Sequence, residues 1–257
     1  KIVSQWYGFT EVWLMSNMHK QIYVNDFGYK EKDNLFVTGY GRLDYLKEYK
    51  NNENRKLKKV EIIKKYNLDE NKQTVLYAPT WIHNSNLIKN DFMNPKNNSF
   101  IKFLDTISSN LNINLIFRPH LNTVYSKNDV SFINALKNIS FMPQDKYDSV
   151  EDFLVISDIL ITDYSSIAFD YMLLDRPVLF LNTPSSFNLG LFKEDFFRFG
   201  KVSDKFEIES NLNKYLSEPS LYFSECPQHK LTSNQLYDDK NLIASNVYLD
   251  RIKNFYK

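Results

Sequence analysis

Short apolar runs punctuate the chain, each closed by polar, Gly or Pro residues: Val12–Met15, Leu35–Thr38, Thr74–Ala78, Asn114–Phe117, Ile139–Met142, Ile159–Thr162 and Val178–Leu181. They are rich in Val, Ile, Leu and Phe and lack clean apolar–polar alternation. That pattern predicts strands buried on both faces. The segments between them have helical spacing. Ile101, Leu104, Ile107, Ser108 and Leu111 share one helical face, as do Leu57, Val60, Ile63 and Lys64, with the Lys stem at the border. Alternating strands and helices predict an α/β fold with a parallel sheet and right-handed crossovers. Asn234–Phe255 reads as one terminal helix with Leu236, Ile243, Val247 and Ile252 facing a core. The Asn-rich stretch Ile82–Asn98 has no periodicity and reads as a long loop. The highly charged stretch Glu48–Lys65 marks a domain boundary or a solvated helix that follows one.

Composition narrows the function classes. Lys and Arg total 32 against 31 Asp and Glu, a near-neutral balance that argues against a dedicated nucleic-acid binder. With 43% hydrophobic and 25% charged residues, the 257-residue chain is neither disordered nor fibrous. A single cysteine, Cys226, excludes a disulfide framework and a Cys-based zinc site, and favours a reducing, cytoplasmic setting. No apolar run approaches the ~18 residues needed to span a bilayer. Lys1 opens no signal-peptide pattern, and the missing Met suggests a cut from a longer chain or a mature end. Aromatics, at 16%, read as a Phe- and Tyr-rich core rather than a binding stripe.

Candidate chemistry collects at the carboxyl ends of the predicted strands, where open parallel sheets bind ligands. Ile159–Thr162 is followed by Asp163, then by Ser165 and Ser166 at the start of a helix. Backbone N–H groups and a positive dipole end suit a phosphate there, and two hydroxyls add donors. The plain alternative is N-capping. The strand Asn114–Phe117 ends in Arg118-Pro119-His120. Arg supplies a fixed charge and His a titratable donor for a diphosphate, the alternative being a surface Arg and a satisfied loop His. Thr74–Ala78 ends in Pro79 and Thr80, another hydroxyl at the same edge. Val37-Thr-Gly-Tyr-Gly-Arg-Leu-Asp-Tyr45 has a glycine turn but not GxGxxG, so a dinucleotide site is not supported. Each segment is weak alone. Three strands ending in phosphate-compatible residues point to one shared site.

In combination, Gly39-Tyr-Gly-Arg-Leu-Asp44, Tyr77-Ala-Pro-Thr80, Arg118-Pro-His120, and Thr162-Asp-Tyr-Ser-Ser166 with Phe169-Asp170 and Arg176-Pro177 resemble the CDP-glycerol glycerophosphotransferase family of teichoic-acid polymerases and primases. The resemblance runs from about Ser16 to near the C-terminus, and the Thr-Asp-Tyr-Ser-Ser run is its most specific part. It implies a GT-B fold, with a Rossmann-like parallel sheet forming the C-terminal half. Residues 1–50 would be the tail of the N-terminal domain and linker, and 51–257 the donor-nucleotide domain. It further implies that Arg118 and His120 face the donor diphosphate and that Ser165 and Ser166 hold its phosphates. His120 is the implied catalytic residue. Thr80, Thr162, Asp163 and Arg42 complete the substrate-binding set, and Phe141–Ser149, with Pro143, would contact the cytosine base. Gly41 stands where the family's motif has Pro, and no Arg-Gly segment is evident over Phe187–Gly200. The family's His-Gly-Thr motif has only the look-alike Trp6-Tyr-Gly-Phe-Thr10, with Tyr7 in place of His, and is expected upstream of Lys1.

The expected function is therefore transfer of glycerol phosphate from CDP-glycerol to a cell-envelope polymer, without a metal or other cofactor. The implied partners are the nucleotide donor and a lipid-linked polymer acceptor, met at the inner face of the plasma membrane through parts outside this chain, with no nucleic acid. One alternative is a GT-B glycosyltransferase using a nucleotide sugar. Another is a non-catalytic nucleotide-binding domain. Preference for CDP over UDP separates the first two readings, and turnover by the full-length gene product separates the third.

Overall fold

The computed structural model describes residues 9–30, 32–81, 91–185 and 190–255, and the Trp6–Gly8 portion of the look-alike motif lies outside them. The chain forms two compact units. One joins residues up to Glu48 with those from Lys230 onward, and the other is Tyr49–His229.

In the first unit, strands β1 (Val12–Leu14) and β2 (Leu35–Val37) pair in parallel. The single helix expected over Asn234–Phe255 is instead two, Pro227–Leu236 and Ala244–Phe255. Ile243 and Ile252 are exposed rather than buried. The Gly39–Asp44 motif is a clasp for the helix Ala244–Phe255. Gly39 adopts φ +77°, a left-handed conformation suited to glycine, and its carbonyl accepts from the Tyr248 hydroxyl at 2.7 Å. The Gly41 N–H donates to the same hydroxyl at 3.0 Å, and a Cβ at Gly41 would lie 3.0 Å from the Tyr248 ring. A Pro there would lose the donor and crowd the ring. Asp44 accepts from the backbone N–H groups of Ala244 and Ser245 at 2.9 and 2.8 Å, capping that helix from 200 residues away. Arg251 forks onto Glu11 at 2.7 Å through both Nε and Nη2, with its guanidinium 3.4 Å from the Phe36 ring centroid.

The second unit holds a six-stranded, wholly parallel sheet: β3 (Thr74–Tyr77), β4 (Asn114–Phe117), β5 (Ile139–Phe141), β6 (Ile159–Thr162), β7 (Val178–Leu181) and β8 (Lys201–Ser203). All seven predicted strands are present. β8 was not predicted, since its three residues offer only Val202 as an apolar signal. Every residue of β3, β4, β6 and β7 is buried, as their unalternating pattern requires. The spatial order is β5-β4-β3-β6-β7-β8, the 3-2-1-4-5-6 order of a Rossmann-like sheet, so the direction of winding reverses between β3 and β6. Val75 pairs with Leu115 on one side and Ile159 on the other.

The helix Asn98–Leu111 follows its predicted face. Asn97 caps its start by accepting from Ser99 N–H at 3.0 Å, and it ends at Asn112 in the left-handed region. Phe100, Ile101, Leu104 and Ile107 join the core beside the sheet. Burying such a side chain contributes about 1.5–3 kcal/mol. The helix Asn52–Lys65 departs from expectation. Leu57 is 79% exposed and Val60 46%, while Ile62 and Ile63 are buried. Its inward stripe is Arg55, Lys59, Ile62 and Ile63, so half of that face is ionic. Asp158 accepts from Arg55 at 2.5 Å, from Lys59 at 2.9 Å and from the Thr74 backbone N–H at 2.8 Å. Arg55 also donates to the carbonyls of Val155, Ile156 and Ser157, at the end of the helix Val150–Ile156. Arg176 donates to Leu154, Val155 and Ser157 there, so the Arg176-Pro177 motif anchors a helix end.

Burial pushes the Asp158 carboxyl up, but the charges of Arg55 and Lys59 outweigh it and hold the group below the ordinary carboxylate range. Its contribution is therefore complete above that range and is lost as pH falls through the lowered value. Asp158→Ala is expected to cost roughly 2–4 kcal/mol at pH 7, by stranding two cations at a partly exposed site. Urea denaturation at pH 7 and at pH 3 checks this. The gap between variant and parent should narrow at the lower pH, and a constant gap would contradict the assignment.

Candidate functional site

The site begins where β3 and β6 end. β3 runs out into Ala78-Pro79-Thr80 and β6 into Asp163-Tyr164-Ser165-Ser166. Beyond the ladder the two ends are laced together. The Ala78 N–H donates to the Ile161 carbonyl at 3.0 Å, and the Thr162 hydroxyl donates to the Ala78 carbonyl at 2.7 Å. Thr80 then donates both its backbone N–H, at 2.9 Å, and its hydroxyl, at 2.5 Å, to Asp163 Oδ1. Burial pushes the Asp163 carboxyl above its ordinary range. The hydrogen bonds from Thr80 and the nearby backbone only partly offset it, because those donors are neutral.

Ser165 and Ser166 form the turn into the helix Ile167–Met172. Their carbonyls accept from Ala168 and Phe169 N–H at 3.1 and 3.0 Å. Ser166 occupies the cap position with helical dihedrals, φ −62° and ψ −15°, and makes no side-chain capping bond. The simple capping reading therefore does not account for its hydroxyl. Ser166 is exposed and Ser165 half-buried.

The end of β4 supplies Arg118 and His120, and the structure separates them. Arg118 is only 4% exposed. Its guanidinium donates to the carbonyls of Met142, Tyr147 and Asp148, at 3.1, 2.5 and 3.2 Å, and lies 5.2 Å from the Phe153 ring centroid. It shapes the loop after β5 rather than presenting its charge at the sheet edge. His120 is exposed, and its Nδ1 accepts from the Asn122 backbone N–H at 3.1 Å. A backbone N–H can only donate, so the neutral ring carries its proton on Nε2. Trp81 stacks loosely on it, with centroids 6.4 Å apart and planes 20° apart. His120 borders a cavity of about 260 Å³ whose walls include Tyr125, Phe141, Pro143, Asp145 and Lys146.

Thr80, Asp163, Ser165 and Ser166 thus gather at the ends of β3 and β6, while His120 and Pro143 share the cavity beyond β4 and β5. Thr162 and Arg118 support these features from beneath. Arg42 belongs to the other unit, where it is exposed, 5.6 Å from the Tyr40 ring centroid. The sequence reasoning missed Trp81, directly after Thr80, and Lys146, although the base-contacting range included the latter's position. Among the described residues, no cluster of three or more His, Cys, Asp or Glu side chains is arranged to hold a metal, and no helix is long and apolar enough to cross a membrane.

The profile of the family described as CDP-Glycerol:Poly(glycerophosphate) glycerophosphotransferase matches residues 9–184. A teichoic acid poly(glycerol phosphate) polymerase of Bacillus spizizenii is 32% identical over 162 residues, covering 62% of this chain and 37% of the relative. A teichoic acid glycerol-phosphate transferase of Staphylococcus aureus is 27% identical over 159 residues, covering 62% of this chain and 38% of the relative. The matched stretch thus spans well under half the length of these curated relatives. Among solved structures, a variant of the wall teichoic acid polymerase TagF soaked with CDPG aligns with 99% of this chain and 58% of its own, at TM-score 0.65 and 20% identity. UDP-GlcNAc 2-epimerase from Neisseria meningitidis bound to UDP-GlcNAc aligns with 95% of this chain and 62% of its own, at TM-score 0.53 and 15% identity. Both have GT-B-like folds, and the six-stranded sheet here is the Rossmann-like half of that architecture.

A carboxyl raised by burial makes folding less favourable as pH rises from the unfolded carboxylate value through the raised native one. Asp163→Asn should remove that dependence. The change in stability from pH 4 to pH 7 is expected to be more favourable in the variant than in the parent, whatever its absolute stability. A difference equal to the parent's, measured by urea denaturation, would show that Asp163 carries no such burden.

Proposed function

The chain belongs to the CDP-glycerol:poly(glycerophosphate) glycerophosphotransferase family, and on that premise we propose that unit 49–229 binds the CDP-linked donor for glycerol phosphate transfer to a teichoic-acid polymer. The observation that carries this reading is the meeting, at one sheet edge, of a strand-order reversal with neutral donors and an aromatic-walled cavity. Ser165 and Ser166 flank the reversal beside Thr80, whose own donors are held by Asp163, and His120 lines the cavity with Phe141 and Pro143. The diphosphate lies over the reversal, where the Ser165 and Ser166 hydroxyls and the His120 Nε2–H meet its oxygens. The cytosine enters the cavity beside Phe141 and Tyr125.

Asp145 and Gln144 also line that cavity. A carboxylate accepts from the exocyclic amine of cytosine and opposes the carbonyl that uracil carries in its place. This favours a cytidine donor over the uridine sugars of the glycosyltransferase alternative.

In the transfer, the acceptor hydroxyl oxygen bonds to the phosphorus that carries glycerol. The bond from that phosphorus to the bridging oxygen breaks, and cytidine monophosphate leaves with the electron pair. The acceptor's proton passes to a base that the family resemblance puts in the N-terminal domain. Charge accumulates on the leaving phosphate, where the His120 N–H is set to stabilise it, so positioning and electrostatics do most of the work. The acceptor is a lipid-linked polymer reached at the inner face of the plasma membrane. Arg118 serves this reading by holding the loop from Met142 to Asp148.

Two measurements test the proposal. Calorimetry on the protein should find CDP bound about tenfold or more tighter than UDP, the discrimination expected of a pocket that pairs with a polar edge. In the full-length enzyme, His120→Ala should lower turnover by about 10²-fold, the typical loss for one preorganised donor, with a milder loss of donor binding. His120→Gln keeps a donor and should recover part of the activity. Equal binding of the two nucleotides, or normal turnover in folded His120→Ala, would overturn the reading.

A further inference from the structure

The connection between β7 and β8 carries a polar contact set that the proposed chemistry does not use. Arg198 lies at its end, with its side chain only 9% exposed. Nη1 donates to the Leu181 carbonyl, at the carboxyl end of β7, at 3.3 Å. Nη2 pairs with the Glu194 carboxylate. The guanidinium carbon sits 4.7 Å from the ring centroid of Tyr164, and the Tyr164 hydroxyl donates to Glu194 Oε1 at 3.1 Å. The three side chains thus close a ring of contacts: cation on aromatic face, hydroxyl to carboxylate, carboxylate to cation. Tyr164 is the residue immediately before Ser165.

The same connection is fixed from the other side. Phe169, in the helix that the two serines open, meets Phe196 at 5.4 Å, Phe199 at 5.8 Å and Phe197 at 6.2 Å. Arg198 lies among these three in sequence, so aromatic packing fixes its backbone while its fork grips Tyr164. An aromatic face pinned beneath a desolvated cation contributes more than an exposed pair, and a planar fork anchored at Leu181 and Glu194 loses little freedom in doing so.

We propose that Arg198, with Glu194 as its counter-ion, is a positioning residue that locks Tyr164 and so holds the Ser165–Ser166 turn in its donor-binding form. The inference rests on the preceding functional reading for what the turn binds, but not for the lock itself. Losing the lock frees the turn while leaving the sheet and its laced ends in place.

Hydrogen exchange in the nucleotide-free protein tests the lock directly. In Arg198→Ala, the amides of Ala168 and Phe169, which donate to the Ser165 and Ser166 carbonyls, should exchange about tenfold faster, the size of effect expected for easier local opening, while β3 and β6 keep their protection. Arg198→Lys retains a cation over the ring without the fork and should fall between parent and Ala. Lys214→Ala, which breaks a surface pair with Glu225 and a contact with the Tyr215 ring, both remote from the turn in sequence, should leave the turn unchanged. With CDP as the probe, Arg198→Ala should bind about tenfold more weakly. In a Ser165→Ala/Ser166→Ala background it should add less than about twofold, because effects acting through one element do not add. Unaltered exchange at the turn in Arg198→Ala and Arg198→Lys overturns the inference. Full additivity overturns it too, by making Arg198 a direct ligand. If the parent binds no nucleotide, the functional reading fails, and the exchange result still decides the lock.

Discussion

The reversal of strand order between β3 and β6 is the constraint on which the rest of the second unit depends. A parallel sheet wound outward in both directions from its centre leaves a crevice beyond the two central strands, because the connections on either side depart in opposite directions. Here that crevice is bridged within one layer of residues. Thr162 reaches across to Ala78, and Thr80 reaches back to Asp163. These bonds use side chains at the last position of β6 and just past the end of β3, so the strand ends cannot splay. A partly buried carboxylate held by neutral donors is costly in isolation. In return it holds the backbone on both sides of the crevice at a fixed separation.

Around that bridge, charge is used for architecture more than for display. Asp158 joins the helix Asn52–Lys65 to the start of β3, and Arg55 and Arg176 together close the helix Val150–Ile156 by taking its free carbonyls. Arg118 performs the same service for the loop after β5. Three arginines with buried or half-buried guanidinium groups therefore face backbone oxygen, an arrangement that suits their planar fork of donors and fixes non-repetitive backbone near the site. What is left at the sheet edge is mostly hydroxyls, an imidazole and aromatic rings. Such a site is poised to gain, rather than already hold, an anionic partner.

Much of the fold was legible because both-face burial leaves unbroken apolar runs, and seven strands follow from that signal. The failures have physical causes. Leu57 and Val60 mimic a core stripe, but the inward face of their helix is set by Arg55 and Lys59 pairing with Asp158, which no hydrophobic pattern reports. β8 is a short edge strand with one apolar residue. The break between the two terminal helices falls at Tyr237–Ile243, where Asp and Asn accumulate. At the site, residue types identified the strand ends correctly but could not say which way a side chain turns. Arg118 and His120 read alike in sequence, and Pro119 between them sends one inward to carbonyls and leaves the other exposed. The Gly39–Asp44 motif reads as a ligand loop and is a clasp for a distant helix.

The central claim is that a cytidine diphosphate donor occupies the crevice at the β3–β6 reversal and the adjoining cavity. Nuclear magnetic resonance mapping of backbone amides during titration with CDP tests it most directly. The account predicts shifts concentrated at Thr80 and Trp81, His120, Gln144 to Lys146, and Ser165 to Ile167, with the buried strand interiors unmoved. Saturable binding with its largest shifts elsewhere, or no shifts at millimolar CDP in the folded protein, would contradict it.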